Sequence, residues 1–203
     1  MKIICVGRNY TEHIAELQNE KPDTPVIFMK PDTALLKNGL DFYLPEFSSE
    51  IHHEVELVVK ICKVGKHIAQ KFAHKYYTQV SLGIDFTARD LQRLLKAKGL
   101  PWEQAKAFDN SAFVGRWLEK DSLGDLNDIH FSLSKNDQLV QLGHSAKMLW
   151  KIDELIAYVS KFFTLKTGDL IFTGTPAGVS QVQSGDFLQG HLNDQEIFNL
   201  SIK

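Results

Sequence analysis

The sequence predicts an α+β fold in which strands outnumber short helices. Runs of β-branched and aromatic residues, which are typical of strands, recur along the whole chain. They lie at residues 2–6, 26–30, 55–62, 79–85, 129–134, 170–173 and 196–202. Helical patterns do not alternate regularly with these runs, so a doubly wound parallel sheet is not expected. The length of 203 residues and the apolar fraction of 43% predict a single domain, residues 1–203, with a hydrophobic core.

Four helices are predicted between the strands. Their ranges are 12–17, 67–77, 88–97 and 153–163. Thr11 and Thr87 are each expected to cap the helix that follows, because a hydroxyl can accept a hydrogen bond from the first free backbone N–H groups. Asn38-Gly39 and Asn136-Asp137 are typical of hairpin turns.

Composition excludes several classes of partner and location. A formal net charge of −2 predicts no nucleic-acid or anionic-membrane interface. Cys5 and Cys62 both lie in apolar runs and are expected to be buried, reduced thiols. The apolar run at residues 1–6 is too short for a signal peptide, and no stretch approaches the roughly 20 residues that span a bilayer. A cytoplasmic protein is therefore expected.

Three acidic residues are the strongest functional signal. Glu54 and Glu56 stand two apart in a predicted strand, so their side chains project from the same face, and Asp85 ends another apolar run. Like charges side by side repel unless a positive charge lies between them. Oxygen ligands favour hard cations such as Mg²⁺, Mn²⁺ or Ca²⁺. The alternative for Glu-x-Glu alone is a solvated acidic face on an edge strand.

A zinc site of the His-Glu-x-x-His type is not expected near these acids. His53 precedes Glu54, but Leu57 stands where the second histidine of that motif would be. His52 and His53 are instead predicted to be hydrogen-bonded side chains at a strand end.

Two further positions are candidates for catalysis. His13 and Glu16 are three residues apart on one predicted helix, where a carboxylate can orient an imidazole and raise its basicity. Such pairs are also common as exposed neighbours on helices. Lys106 lies in a mostly apolar stretch near Trp102 and is either a cation directed at a developing enolate or a surface lysine with a buried stem.

A loop rich in glycine and hydroxyl groups follows the apolar run 170–172. Residues 173–179 read Thr-Gly-Thr-Pro-Ala-Gly-Val, and the backbone N–H groups of such a tight loop can bind a carboxylate. The segment matches neither a dinucleotide-binding nor a phosphate-binding loop. A plain structural turn is the alternative.

Taken together, these segments resemble the fumarylacetoacetate hydrolase family, and within it the short acylpyruvate hydrolase-like branch. Six stretches carry the resemblance in family order and span nearly the whole chain. They are Gly7-Arg8-Asn9-Tyr10 with His13 and Glu16, Pro25 to Pro31, His53 to Leu57, Asp85 to Gln92, Lys106 to Asp109, and Thr173 to Val179.

The resemblance implies a fold, a metal and a set of roles. The implied fold is a mixed β-sandwich or β-roll with flanking short helices, usually assembled as a homodimer. The implied metal is Mg²⁺ or Mn²⁺. The implied roles are metal ligation by Glu54, Glu56 and Asp85, catalysis by a His13–Glu16 dyad on a mobile lid and by Lys106, and substrate contact by Arg89, Gln92 and Thr175.

The reaction implied first is hydrolysis of the carbon–carbon bond of an acylpyruvate, a 2-oxo acid substrate, through a metal-bound enolate. Oxaloacetate decarboxylation or keto–enol tautomerisation is the second expectation, and 2-hydroxyhepta-2,4-diene-1,7-dioate isomerisation or decarboxylation the third, because all pass through related enolates. One departure bears on the substrate: residues 112–116 read Ala-Phe-Val-Gly-Arg where many relatives have Pro-x-Gly-Pro. A non-catalytic binding protein is the remaining alternative, and the retained His13, Glu16 and Lys106 argue against it.

Overall fold

The structure, a computed structural model, describes residues 1–16, 20–37 and 39–203. Within these ranges the strands are β1 (Ile3–Gly7), β2 (Val26–Lys30), β3 (Ile51–His53), β4 (Val55–Ile61), β5 (Tyr77–Asp85), β6 (Thr87–Ala88), β7 (Ala112–Val114), β8 (Leu118–Glu119), β9 (His130–Lys135), β10 (Gln138–His144), β11 (Leu170–Phe172), β12 (Ser180–Gln181), β13 (Phe187–Leu192) and β14 (Gln195–Ser201). The α-helices are α1 (Thr11–Glu16), α2 (Gln70–Ala73), α3 (Arg89–Ala97), α4 (Glu103–Lys106) and α5 (Ile152–Phe162).

The described strands form three sheets. The largest has the order β2-β1-β11-β4-β5-β7, with β8 also paired to β5, and it is mixed because β1 and β11 run parallel. A four-stranded antiparallel sheet has the order β10-β9-β13-β14, and a small one joins β12, β3 and β6. Strands that are mostly antiparallel with few short helices confirm the predicted α+β class.

Side-chain alternation along β4 and β5 separates the core from the acidic residues. Val55 and Leu57 of β4 and Ile84 of β5 belong to one large buried hydrophobic cluster, which also contains residues of the four-stranded sheet. Because successive side chains point to opposite faces, Glu56 and Asp85 project from the other face of these paired strands. Core packing on one face therefore positions two carboxylates on the other.

The strand predictions agree with the structure to within about two residues, whereas one helix prediction is wrong. Residues 67–77 were expected to be helical, but α2 covers only Gln70–Ala73. Tyr77 instead begins β5 and pairs with Ile61, and the Cys62 N–H donates to the Tyr76 carbonyl. Aromatic residues that complete a buried sheet edge gain more from packing there than from extending an isolated helical turn.

Three smaller predictions are also wrong: the two threonine caps and the burial of Cys62. Thr87 lies in β6, where its hydroxyl contacts the Asp85 carbonyl, and Ala88 precedes the first residue of α3. Thr11 is itself the first residue of α1. Cys5 is buried as expected, but Cys62 is exposed because it lies just past the end of β4.

The turn at Asn136-Asp137 is confirmed. These two residues join β9 to β10 with φ values of 51° and 64°, the left-handed conformation that two-residue hairpins require. The predicted turn at Asn38-Gly39 and the predicted helical position Leu17 involve residues outside the described ranges. Among the helices that the structure describes, none combines the length and apolar character needed to cross a membrane.

Candidate metal centre and active site

The three predicted ligand residues lie together. Glu54 is located immediately before β4, Glu56 within β4 and Asp85 at the end of β5, and one carboxylate oxygen from each lies within 4.8 Å of the other two. All three residues are at most 5% exposed. The backbone N–H of Asp85 donates to the Glu54 carbonyl at 2.9 Å, which joins the two segments. A solvated acidic face is therefore excluded.

Lys106 reaches this carboxylate cluster from α4. Its Nζ lies 2.7 Å from Glu54 Oε2 and 2.7 Å from Asp85 Oδ2, and the residue is buried. Burial alone would lower the pKa of Lys106, but the two carboxylates outweigh it and raise the pKa above its usual value. The side chain is thus an ammonium held inside the site and does not extend to the surface.

A second buried lysine, which the sequence analysis did not assign to the site, lies on the other side of Asp85. Lys30 Nζ is 2.7 Å from Asp85 Oδ1 and donates to the carbonyl and hydroxyl oxygens of Ser111 at 2.8 and 3.0 Å. Lys30 ends β2, far from Asp85 in sequence, and its motif Pro25 to Pro31 was the only signal that could have suggested it.

Arg89 and Gln92 were expected to contact the substrate. In the structure Arg89 contacts the carboxylate cluster, and the two side chains contact each other. The Arg89 guanidinium donates to Glu54 Oε1 and to Gln92 Oε1. Both side chains are buried at the start of α3. Arg89 therefore helps to fix the orientation of Glu54, in addition to any contact with substrate.

Glu54 and Glu56 differ in how well the site stabilises their ionised forms. Burial raises the pKa of Glu54, but the ammonium of Lys106 and then the guanidinium of Arg89 lower it further, so the net pKa falls well below its usual range. The pKa of Glu56 is raised by burial and then by the charges of Asp85 and Glu54. A divalent cation among the three carboxylates would stabilise the ionised form of Glu56, so these residues fit a metal.

The glycine-containing loop after β11 binds two carboxylates of the protein itself. Gly174 N–H donates to Glu56 Oε2 at 2.6 Å, and Gly178 N–H donates to Glu16 Oε1 at 3.0 Å. Both glycines have positive φ values, 100° and 98°. A Cβ on Gly178 would lie 2.1 Å from the Val140 carbonyl oxygen, so both the backbone conformation and the close contact require glycine.

The predicted dyad is formed on α1. His13 Nδ1 lies 3.0 Å from Glu16 Oε2. Because a carboxylate accepts, Nδ1 carries the proton in this pair and Nε2 of a neutral ring keeps its lone pair. Glu16 is held from two sides, by His13 and by Gly178 N–H.

A cavity of about 40 Å³ brings these groups into one site. Eight of the nine predicted site residues line the cavity. The ninth, Glu16, is hydrogen-bonded to His13, which lines it. Six further residues also line it: Val6, Gly7, Arg8, Phe28, Lys96 and Trp102. The Lys106 ammonium lies 5.2 Å from the centre of the Phe28 ring, which gives that wall both aromatic and cationic character.

Comparison with known proteins identifies the family. The model of the fumarylacetoacetate (FAA) hydrolase C-terminal family matches residues 2–200. The chain belongs to the fumarylacetoacetate hydrolase family. This family assignment confirms the resemblance that was inferred from the six sequence stretches.

Named relatives cover most of the chain. The oxaloacetate tautomerase YcgM of Escherichia coli (strain K12) is 43% identical over 188 residues, which are 92% of this chain and 86% of that protein. The mitochondrial oxaloacetate decarboxylase of Dictyostelium discoideum is 41% identical over 189 residues, 93% and 87% of the two chains. The crystal structure of fumarylpyruvate hydrolase from Pseudomonas aeruginosa in complex with Mn²⁺ and pyruvate has a TM-score of 0.92 and 32% identity, covering 100% of this chain and 89% of that one.

The departure from the family pattern at residues 112–116 lies in sheet packing. These residues form β7 and the turn after it, where Gly115 N–H donates to the Leu82 carbonyl. The Phe113 ring packs edge-to-face on Phe198 with ring centres 5.1 Å apart. In this member of the fumarylacetoacetate hydrolase family, residues 112–116 therefore pack between β5 and the four-stranded sheet.

Gln141 is a further buried residue that the sequence analysis missed. Its Oε1 accepts hydrogen bonds from His53 Nδ1 at 2.9 Å and Val55 N–H at 3.0 Å, and its Nε2 donates to Thr175 Oγ1 and the Pro176 carbonyl, both at 2.9 Å. One side chain thus connects the Glu54 segment with the loop that carries Thr175.

The histidines beside Glu54 are structural, as predicted. Burial is the main cause that lowers the pKa of His53 to about 4, so its ring is neutral. Nδ1–H donates to Gln141, and Nε2 accepts from the Ser180 hydroxyl at 2.8 Å. His52 hydrogen-bonds Glu50 at 3.1 Å.

Replacing Gln141 with leucine should destabilise the protein by about 2–4 kcal/mol, because several buried polar groups lose their partner at once. A urea titration monitored by fluorescence measures this loss. Gln183→Leu, at an exposed position, is the matched control and should change the free energy of unfolding by no more than about 0.5 kcal/mol. Equal stability of the two variants would contradict the proposed linking role of Gln141.

Proposed function

We propose that this protein catalyses keto–enol tautomerisation of oxaloacetate, with Mg²⁺ or Mn²⁺ held by Glu54, Glu56 and Asp85. The observation that supports this choice is the charge of the cavity wall. Arg8, Lys96 and Arg89 line the cavity together with the three carboxylates. A substrate with two carboxylates can use both features, one end near the metal and the other near the cations.

The cations of the cavity wall act on one another electrostatically. Burial lowers the pKa of Lys96, and the charges of Arg8 and Arg89 lower it further. Like charges that repel one another in this way are stabilised when an anion binds between them. The second carboxylate of oxaloacetate is an anion of suitable size and charge, and acylpyruvates with an apolar acyl group lack it.

The metal would supply positive charge that polarises the 2-oxo group and favours the enolate form. His13 Nε2 would take a proton from the carbon between the two carbonyl-bearing carbons. The C–H electron pair then forms the carbon–carbon double bond, and negative charge develops on the oxo oxygen. Lys106 would donate a hydrogen bond to that oxygen, which is the role of a preorganised cation in such a step. The proton that His13 took is then returned to this oxygen, directly or through solvent, which completes the enol and restores the neutral imidazole.

The named relatives favour oxaloacetate tautomerisation over acylpyruvate hydrolysis, which the sequence analysis ranked first. The Escherichia coli relative is an oxaloacetate tautomerase and the Dictyostelium discoideum relative an oxaloacetate decarboxylase. Tautomerisation passes through the enolate of oxaloacetate and decarboxylation through the enolate of pyruvate, and in both the negative charge develops on the 2-oxo oxygen. We therefore rank oxaloacetate chemistry above acylpyruvate hydrolysis.

Acylpyruvate hydrolysis is a second candidate, and the His13–Glu16 dyad favours it. An imidazole whose Nδ1–H is held by a carboxylate can take a proton from water as readily as from carbon. The relative from Pseudomonas aeruginosa is a fumarylpyruvate hydrolase. In this reaction the activated water would attack the distal carbonyl carbon, and bond cleavage would release a carboxylic acid and the enolate of pyruvate.

Two lysine variants test the role of the cationic wall. One substitution lies in α3 and the other just after its C-terminal end. Lys96→Gln removes one cation from the cavity wall and should lower kcat/KM for oxaloacetate up to about fivefold, since an exposed ion pair contributes at most about 1 kcal/mol. Activity with acetylpyruvate, which has a single carboxylate, should change less than twofold. Lys98→Gln, an exposed position two residues away, is the matched control and should change neither.

The assays follow enol absorbance for oxaloacetate and pyruvate release for acetylpyruvate, both with saturating Mg²⁺. A specificity constant for wild-type protein that is higher with acetylpyruvate than with oxaloacetate would reverse the ranking of the two reactions. Equal effects of Lys96→Gln on both substrates would contradict the role given to the cationic wall.

A further inference from the structure

A cluster of two histidines and one aspartate lies at the open end of the β9–β10 hairpin. His130 begins β9 and His144 ends β10, and the strand register pairs them directly. Their rings are stacked, with centres 4.0 Å apart and planes 16° from parallel. Asp128 Oδ1 lies 2.6 Å from His144 Nε2. One ligand atom from each residue lies within 4.8 Å of the other two.

The backbone on both sides of the cluster is fixed by hydrogen bonds. Asn193 N–H donates to the His130 carbonyl at 2.7 Å, and its side-chain oxygen accepts from His130 N–H at 3.2 Å. Ser145 Oγ accepts from Ile129 N–H at 2.8 Å, and Ser145 N–H donates to the Ile129 carbonyl at 2.9 Å. Side-chain rotations alone can therefore bring the three ligand atoms around one ion.

We propose that Asp128, His130 and His144 form a second metal site, which binds a transition-metal ion of the Zn²⁺ type. Two imidazole nitrogens and one carboxylate oxygen are ligands that Zn²⁺, Ni²⁺ and Cu²⁺ prefer, whereas Mg²⁺ prefers oxygen alone. The cluster is distinct from the carboxylate cluster in ligand type and in exposure. Asp128 and His130 are exposed and His144 is partly buried, so ions reach the site from solvent.

The ligand set also indicates what kind of site this is. Three protein ligands leave the fourth tetrahedral position of Zn²⁺ to water. The ion would connect Asp128, in the segment before β9, with both strands of the hairpin. A role in stabilising this end of the four-stranded sheet follows from that placement, since an ion that binds only the folded chain stabilises it.

Calorimetric titration of protein without an affinity tag tests the proposal. Zn²⁺ is added to wild-type protein, His130→Gln, His144→Gln and the control His74→Gln, an exposed histidine outside the cluster, each in excess Mg²⁺. Wild type and His74→Gln should bind one Zn²⁺ that the cluster variants bind at least about tenfold more weakly. Melting temperatures in chelator should match, which shows that all variants fold.

Two further measurements separate this site from the carboxylate cluster. Glu56→Gln should keep the Zn²⁺ binding that His144→Gln loses. Cu²⁺ bound to wild type should give an electron paramagnetic resonance spectrum with hyperfine coupling to nitrogen, and this coupling should weaken in each histidine variant. Zn²⁺ affinity that is unchanged in both histidine variants, or that is lost only in Glu56→Gln, would overturn the proposal.

Discussion

Glu56→Gln is expected to abolish metal-dependent activity, with a loss of about 10³-fold or more in kcat/KM. A metal ion contributes several kcal/mol to stabilising developing negative charge, and each 1.36 kcal/mol is a factor of ten in rate. Glutamine keeps an oxygen that can accept from Gly174 N–H, so the loop should remain in place. The variant therefore removes the charge while conserving the shape of the side chain.

The same substitution should leave the metal-free protein at least as stable as wild type at pH 8. The folded-state pKa of Glu56 is raised above its unfolded value of about 4.3. A raised pKa contributes stability that is fully present below the unfolded pKa and lost as the pH rises through the folded pKa. Between pH 5 and pH 8 in chelator, wild type should therefore lose more stability than Glu56→Gln does.

Thermal unfolding with and without Mn²⁺ measures both effects of Glu56→Gln. Mn²⁺ should raise the melting temperature of the wild-type protein but not that of Glu56→Gln. Glu12→Gln removes an exposed carboxylate that pairs with Lys147 at the surface, and it should behave as wild type. A Mn²⁺-induced shift in Glu56→Gln equal to that of wild type would exclude Glu56 as a ligand.

His13→Gln is expected to reduce kcat by about 10²–10⁴-fold, the usual contribution of a general base. Metal binding should be unchanged, because His13 is not one of the three carboxylate ligands. Steady-state assays with oxaloacetate and acetylpyruvate measure the loss, and Mn²⁺ titration checks that the metal centre is intact. An unchanged kcat with both substrates would remove His13 from the mechanism.

The role of Glu16 is tested through its dependence on His13. If Glu16 acts by orienting the imidazole, Glu16→Gln should lower kcat in the wild-type background and have little further effect in His13→Gln. Additive losses in the double variant would instead give Glu16 an independent role in the reaction.

Five strands of the large sheet, β1, β2, β4, β5 and β11, were predictable because their signal is local. Residues 26–30 and 79–85 carry the apolar and β-branched side chains that a buried strand needs. β10 and β13 were missed, because polar and small residues interrupt their apolar positions. Both strands are stabilised by pairing with β9, a contact made by distant parts of the chain.

The site was partly predictable for the same reason. His13 and Glu16 are three residues apart on one helix, so a local pattern was sufficient to predict their contact. Lys30 and Gln141 gave no such signal: each becomes part of the site through contacts with residues more than 50 positions away. Spacing rules describe single elements and cannot identify partners of this kind.

By itself the sequence determined the α+β class, the family and the identities of the acidic, basic and histidine side chains of the candidate site. Residue type and short-range spacing are local properties. Only the tertiary structure decided that Lys106 and Lys30 both contact Asp85, that one loop binds Glu56 and Glu16, and that Arg8 and Lys96 line the cavity. These contacts depend on which strands pair and which faces pack, and burial of the whole core determines that pairing.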